Sequence, residues 1–435
     1  MSKLLRKIVP GKSSKKKLEK EISLIVEDPN NPDGFALKVQ KKLLLEHSAF
    51  FRDIPENDIK KNRKIKLEDV SVIALQKIVT YMQKASARFQ SHVEAIETLK
   101  AAQKFEIEEL FNICINHLIT ALEPSNVCDI YDTASTLSLS HLEYSCLKLI
   151  DKDTEKVLQT RGFLTLKKAR VLEIIKRSSL NIDSEVAIFR AILAWGLNDS
   201  LSRGLDPNDL EMFLPIVRHM LNHVRFGNMT DAELRDPEVD KFLQLLSSCE
   251  LWNKNRSVSC VSQTSSSSME HDMRQYVTHY SHDMSVYESN QHTVKDGESF
   301  CLNIEILKGR VFLTRFKLAF RAFAPTKNAA CLYVVLSATN EETNDQRSTR
   351  GTFLNTTDEA YLEFSNPLPA RESNKVKIEL IVKKAENICP LSVKSDIQIA
   401  MPDSKMVAMK IIPMDVKVDS EEEGRCIFGE IQYFH

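Results

Sequence analysis

One internal echo restricts the folds open to this chain more than any other feature. Leu99 corresponds to Tyr131, Ala102 to Ala134, Phe105 to Leu137, Ile107 to Leu139, Leu110 to Leu142, Cys114 to Cys146 and Leu118 to Ile150. The spacing, about 32 residues, falls in the range of stacked helical hairpins. Each copy therefore reads as two short helices joined by a tight turn. Neither pair can bury its apolar face alone, so stacking is a physical requirement. Pro124 and Ser125 sit between the pairs, where proline ends one helix and suits the start of the next.

The flanks differ from this helical middle. EISLIV from Glu21 reads as a strand, the turn-rich DPNNPDG follows, and FALKV supplies a second strand of a hairpin. A helix is expected from Lys41 to Ile54, with Leu44, Leu45, Phe50 and Phe51 apolar, then a short strand at Ile65 to Leu67. The next helix runs from Ser71 to about Met82 and turns Ile73, Leu75, Ile78 and Val79 inward. After the repeat, helices are expected at Leu164 to Arg177, at Ser184 to Gly196 with Ser184 as cap, at Asp209 to Leu221, and at Pro237 to Leu246, ending near Trp252. The serine-rich NKNRSVSCVSQTSSSSME then reads as a flexible linker whose serines are either an inert spacer or phosphorylation sites.

Beyond about Met284 the apolar period drops from 3.6 to 2. Leu302, Ile304 and Ile306 alternate with Asn303 and Glu305, and Val376, Ile378, Leu380 and Val382 alternate with polar neighbours. Further strands are expected in VFLTRFKLAF from Val311, CLYVVLS from Cys331, YLEF from Tyr361, MVAMKII from Met406 and the terminal CIFGEIQYF. Seven or eight strands with no intervening helix imply a β-sandwich. The expected fold class is multidomain: a basic tail at 1–20, an α/β domain at 21–122, an all-α domain at 123–252, a linker at 253–284 and an all-β sandwich at 285–435.

Composition narrows the function. The 435 residues carry 59 Lys and Arg against 60 Asp and Glu, which lacks the basic footprint of a nucleic-acid binder. Nine scattered cysteines without a C-x-x-C pair suit reduced thiols in the cytoplasm or nucleus. No apolar run approaches the roughly 18 to 20 residues that span a bilayer, and the amino terminus has no apolar signal region. The lysine-rich first twenty residues read as a solvated tail, a nuclear signal or a weak tether to an anionic surface. No Walker loop, dinucleotide fingerprint, nucleophile elbow or H-E-x-x-H occurs, so no enzyme, cofactor or metal site is expected. His219 and His223 share a helical face, but no third ligand at suitable spacing completes a metal set. His279 and His282 read as solvated. Cys114, Cys128 and Cys146 lie on apolar helix faces as small hydrophobes, and Trp195 beside Ile192 and Leu193 reads as core.

The stretch from Glu21 to Met82 resembles a BTB (POZ) domain. LKVQKKLLLEHSAFFRDI from Leu37 matches that family's strand–helix segment, with Leu43, Leu44, Ser48, Phe51 and Arg52 at its motif positions, and LEDVSVIALQKIVTYM from Leu67 matches the helix that follows. Glu21, Gln40 and Gln83-Lys84-Ala85 depart from the family's aspartate, histidine and Tyr-Thr-Gly. LEPSNVCDIYDTASTL, FLTL, SEVAIFRAILAW and LPIVRHMLNHVRF follow the order of a BACK domain between about Glu123 and Trp252. RVFLTRFKLAF, FSNPLPARESNKVKIEL and GEIQYFH resemble the PHR sandwich that follows such units, a generic sandwich being the alternative.

The resemblance implies a protein–protein adaptor, not an enzyme, that recruits a substrate protein to a cullin-3 type ubiquitin ligase. The BTB domain would bind the cullin through Phe51, Ile54, Ile59 and Lys61, and the C-terminal domain would hold an unknown protein. Many cullin-binding members carry an apolar-x-Glu motif where this chain has Ile59, Lys60 and Lys61, with Ile54-Pro55-Glu56 out of register as a substitute. A BTB–BACK scaffold that binds no cullin is therefore the alternative. Homodimerisation through the BTB domain would rest on Leu4, Leu5 and Ile8.

Overall fold

The structure is a computed structural model. It describes residues 21–29, 31–54, 64–206, 208–247, 274, 280–283, 286–287, 294–322, 331–354, 360–386, 388–390, 392–393, 397–400, 407–414 and 428–435. The basic stretch 1–20, Pro55 and Glu56, the Ile59, Lys60 and Lys61 positions, Trp252, His279 and most of 253–284 lie outside the described residues. Contacts divide the chain into two compact units, Met1–Leu137 and Ser138–His435.

In the first unit the hairpin forms as its sequence dictates. Strands β1 (Glu21–Asp28) and β2 (Asn31–Gln40) pair antiparallel with Leu24 opposite Leu37, and β3 (Lys64–Leu67) joins parallel to β1 with Ile65 opposite Leu24. Ile22, Leu24 and Val26 alternate into the core. Gly34 has φ +76°, and a Cβ there would lie 2.5 Å from the Val26 carbonyl oxygen, so only glycine fits.

The helix expected at Lys41 to Ile54 is two: α1 (Lys41–His47) and α2 (Ala49–Asp53). Ser48 divides them. Its backbone is extended (φ −134°, ψ 125°), and its hydroxyl accepts from the Phe51 N–H at 3.2 Å, which starts a new helix. Helix α3 (Val72–Lys84) is capped by Ser71, which accepts from the Ala74 N–H at 3.1 Å and donates to Glu97 at 2.6 Å. Leu75, Ile78 and Val79 face inward as expected, but Ile73 is 40% exposed. Two positions on a helix turn a side chain about 200° from its neighbour, so Ile73 cannot share a face with Leu75.

Helices α4 (His92–Lys104), α5 (Glu108–Thr120) and α6 (Val127–Thr136) complete this unit. The echo extends to the backbone. Glu106 and Ser138 both adopt left-handed φ, 51° and 56°, two residues before the helices that begin at Glu108 and Ser140. Every echoed position except Leu137 and Leu139 is buried.

The second unit opens with helices α7 (Ser140–Lys152), α8 (Thr154–Leu158), α9 (Arg161–Leu164), α10 (Lys168–Ile175), α11 (Glu185–Ser202), α12 (Leu210–Leu221), α13 (Asp231–Leu234) and α14 (Pro237–Ser247). The single helix expected at Leu164 to Arg177 is thus confined to α10. Helix α11 is capped by Ser184 and buries Ile188, Phe189, Ile192 and Trp195. The Trp195 indole donates to the Leu166 carbonyl at 2.8 Å, which places this residue in the core, as expected. A Cβ on Gly196 would meet Val217 Cγ1 at 2.2 Å, so the glycine lets α12 approach α11. Arg177 grips the fully buried Asp151 through Nε and Nη2, both at 2.7 Å, and Ser179 donates to the same carboxylate at 2.6 Å.

Strands then follow: β4 (Tyr280–Asp283), β5 (Val286–Tyr287), β6 (Ser299–Lys308), β7 (Arg310–Leu318), β8 (Phe320–Ala322), β9 (Cys331–Asn340), β10 (Gln346–Leu354), β11 (Ala360–Arg371), β12 (Lys375–Glu386), β13 (Ile388–Pro390), β14 (Ser392–Val393), β15 (Ile397–Ala400), β16 (Ala408–Met414) and β17 (Phe428–Phe434). A six-stranded sheet in the order β10-β9-β12-β6-β16-β15 and a four-stranded sheet in the order β11-β7-β17-β4 contain most of them. Their paired strands are antiparallel. Leu302, Ile304, Leu336, Ile378 and Leu380 of the first sheet share one core with Leu313, Phe316, Leu362, Phe428 and Tyr433 of the second. That is the expected sandwich.

Candidate partner-binding surface

The surface begins at Ser48. Besides capping α2, its hydroxyl donates to the Phe105 carbonyl at 2.6 Å, which ties α2 to the turn between α4 and α5. Phe51, three residues on and so on the same helical face, stacks on Phe105 with ring centroids 5.5 Å apart. Phe51 was expected to face a cullin; it is instead 1% exposed and offers a partner no surface. Its neighbour Phe50 must then point outward. It is 36% exposed and lies edge-on to both Phe51 and Phe105, with centroids 5.3 Å away in each case.

Beside this aromatic step runs a groove of 610 Å³ lined by residues of α1, α2, the end of α3 and the α4–α5 turn. Glu46, Glu106, Glu108 and Glu109 outnumber the groove's one arginine, Arg52, so the groove favours a partner segment with positive charge. Tyr81 anchors one wall: its hydroxyl donates to Glu109, and its ring packs edge-on against His47 at 5.5 Å. Burial, the hydrogen bond to Glu109 and the charge of that carboxylate all push the Tyr81 phenol above its ordinary pKa, so it remains a donor. Ile54 follows α2 as its half-buried C-cap. Ile59 and Lys61 lie outside the described residues.

Comparison with known domains settles the frame in which this surface sits. The model described as BTB/POZ domain matches residues 12–122, and the model described as BACK, BTB And C-terminal Kelch, matches residues 127–237. The chain is a BTB–BACK protein. It is 27% identical over 189 residues to BTB/POZ domain-containing protein 6-A of Danio rerio, covering 43% of this chain and 34% of that one. It is 24% identical over 204 residues to human Kelch-like protein 41, covering 46% and 32%, and 26% identical over 182 residues to human gigaxonin, covering 41% and 30%. The chain thus spans about a third of the length of the curated relatives it matches.

Within this BTB–BACK protein, the exposed Phe50 and its groove belong to the BTB domain, and the BACK helices carry a different kind of contact. Glu143 of α7, 2% exposed, receives both terminal nitrogens of Arg310 from β7, Nη2 at 2.7 Å. Val311 and Leu313 point into the sandwich core, so Phe312 between them points out. There it meets Tyr144 at 5.5 Å, and Tyr144 meets Phe434 of β17 at 5.3 Å. The Arg177 guanidinium lies 4.9 Å over the Phe434 ring. The outer face of the four-stranded sheet is thereby fastened to the helices by one ion pair and an aromatic cluster.

Other residues singled out in the sequence take structural places. Cys114, Cys128 and Cys146 are all buried, as expected of small hydrophobes in a core. Burial pushes the Cys114 thiol up to about 12, far from a nucleophile's range. His219 and His223 stack edge-on at 5.6 Å, and no group of three metal-ligating side chains gathers among the described residues. No described helix is long and apolar enough to cross a membrane.

Proposed function

We propose that the protein is an adaptor, not an enzyme, in which the BTB domain engages a cullin-3 type scaffold and the C-terminal sandwich holds a protein destined for ubiquitination. The reading rests on the order of the domains, BTB then BACK then sandwich, and on one observation above the others: Phe50, a large aromatic, is exposed on α2, the helix whose Ala49 and Arg52 line an acidic groove of the BTB domain. Buried aromatic anchors carry much of the energy of protein interfaces. Ile54 borders that face, and Ile59 and Lys61 are proposed to follow it in the cullin contact. The sandwich is proposed to act as a PHR-like substrate-holding domain. The balanced charge favours protein over nucleic-acid partners, and the scattered cysteines favour the cytoplasm or nucleus. A homodimer through the BTB domain, with Leu4, Leu5 and Ile8 in its interface, accompanies this proposal.

Calorimetric titration with the amino-terminal domain of a cullin-3 type scaffold tests the reading. Binding at micromolar concentration is expected, and Phe50→Asp is expected to weaken it about tenfold or more by placing a charge at the anchor. Lys61 favours a second reading, a scaffold that binds no cullin, because like charge at an interface costs several kcal/mol where the family's motif is acidic. Lys61→Glu should then tighten the titration. If neither the natural chain nor Lys61→Glu binds, the scaffold reading replaces the first.

A further inference from the structure

Arg274 is the one described residue between 248 and 279, and its side chain is 1% exposed. A guanidinium carries five N–H donors, and each of the five finds an acceptor here. Nε donates to Glu185 Oε1 at 2.6 Å. Nη1 donates to the carbonyl oxygens of Ile175 and Arg177, both at 2.6 Å. Nη2 donates to Glu185 Oε2 at 3.3 Å and to the carbonyl oxygen of His223 at 3.1 Å.

The acceptors come from three helices that the fold brings together for other reasons. Ile175 ends α10 and Arg177 lies two residues beyond, His223 lies two residues past α12, and Glu185 opens α11. Carbonyls at helix C-termini lack intrahelical partners and carry the negative end of the helix dipole. The Glu185 carboxylate, 4% exposed, is held in place by the Arg225 N–H at 3.1 Å to Oε2. Arg177 is engaged with Asp151 and leaves the Glu185 charge to be met by another cation. A buried carboxylate demands such a cation. The arrangement selects for shape as well as charge: an ammonium has three donors in a tetrahedral cone and cannot reach five acceptors set around a plane.

We propose that this pocket of the helical domain is a binding site for an arginine side chain, filled in cis by Arg274 and able to take an arginine-bearing peptide in trans when Arg274 is absent. The site pins the chain to the helices at Arg274. It is independent of whether the BTB domain binds a cullin.

Calorimetric titration of the full chain carrying Arg274→Ala tests it, with a peptide of residues 270–279 as probe. The peptide should bind Arg274→Ala at least tenfold more tightly than the natural chain, whose own Arg274 occupies the pocket. A peptide with lysine at the position of Arg274 should bind Arg274→Ala at least tenfold more weakly than the arginine peptide. Equal binding of the two peptides, equal binding to both proteins, or none at millimolar concentration overturns the proposal. Should Arg274→Ala not fold unaided, its refolding yield in N-acetyl-arginine amide should exceed the yield in N-acetyl-lysine amide; equal yields overturn it in the same way.

Discussion

One residue of the BTB domain shows how a family pattern bears on stability. Ala85 caps α3 in the left-handed region (φ 50°, ψ 30°), with its N–H donating to the Tyr81 carbonyl at 2.7 Å. An alanine there meets its own Cβ as an obstacle that glycine lacks, and the matching family position is a glycine. Ala85→Gly should therefore stabilise the domain by about 0.5–1 kcal/mol, the strain relieved less the entropy that glycine adds to the unfolded chain; urea unfolding reads the shift. His223 carries the opposite kind of strain. Burial first, then Lys176, His219 and Arg274, hold its imidazole down to about 4, and its Nε2 is buried without a partner. The unfolded state binds that proton at higher pH, so the neutral form's contribution is complete above about 6.5 and is lost as pH falls through about 4. Urea midpoints taken between pH 7 and pH 4 should fall with acid, and His223→Gln should flatten the slope; an unchanged slope would remove His223 from the account. The burial of Phe51 was legible, because Ser48 lies three residues before it and both face one way. Its assignment to a cullin-facing surface came from the family pattern and overlooked that the serine and phenylalanine are pattern residues because they pack. Arg274 was not legible. Three of its acceptors are backbone carbonyls, which any sequence supplies, from elements up to 99 residues away.

Among the elements, those with strong period were readable and those with mixed roles were not. The echo from Leu99 to Ile150 foretold four helices and even the placing of their turns, since two apolar faces of one spacing demand one geometry. Strand β10 escaped notice because QRSTRGTFL, at the edge of its sheet, shows no apolar alternation. Its pairing with β9, Arg350 opposite Val335, is made by the backbone. The break at Ser48 was hidden because the apolar residues on its two sides suit one continuous helix. The fastening of α7 to β7 is an element-scale device with a testable energy. Arg310→Met leaves the Glu143 carboxylate buried and unpaired and should cost about 3 kcal/mol, at the low end for such pairs because Arg310 is partly exposed. Glu143→Leu combined with Arg310→Met should cost less than Arg310→Met alone, since no charge is stranded. Denaturation of the two variants beside the natural chain decides this, and a double variant worse than the single would show that the pair itself stabilises the junction.

At the scale of the whole molecule, the three-part order of mixed, helical and β sequence was legible from the change in apolar period alone. The positions where compactness divides the chain were not, because contacts are made between elements that sequence patterns describe one at a time. The family boundary lies between residues 122 and 127, whereas the first compact unit runs to Leu137 and includes α6. That helix buries Val127, Cys128, Ile130, Tyr131 and Ala134. Whoever cuts the gene for expression thus meets a choice that the family boundary hides. A fragment ending at 122 discards the α6 cover from the first unit, while one ending at 137 keeps it. The longer piece should elute from size exclusion as a defined species and melt cooperatively, and the shorter should bind a hydrophobic dye and precipitate on warming.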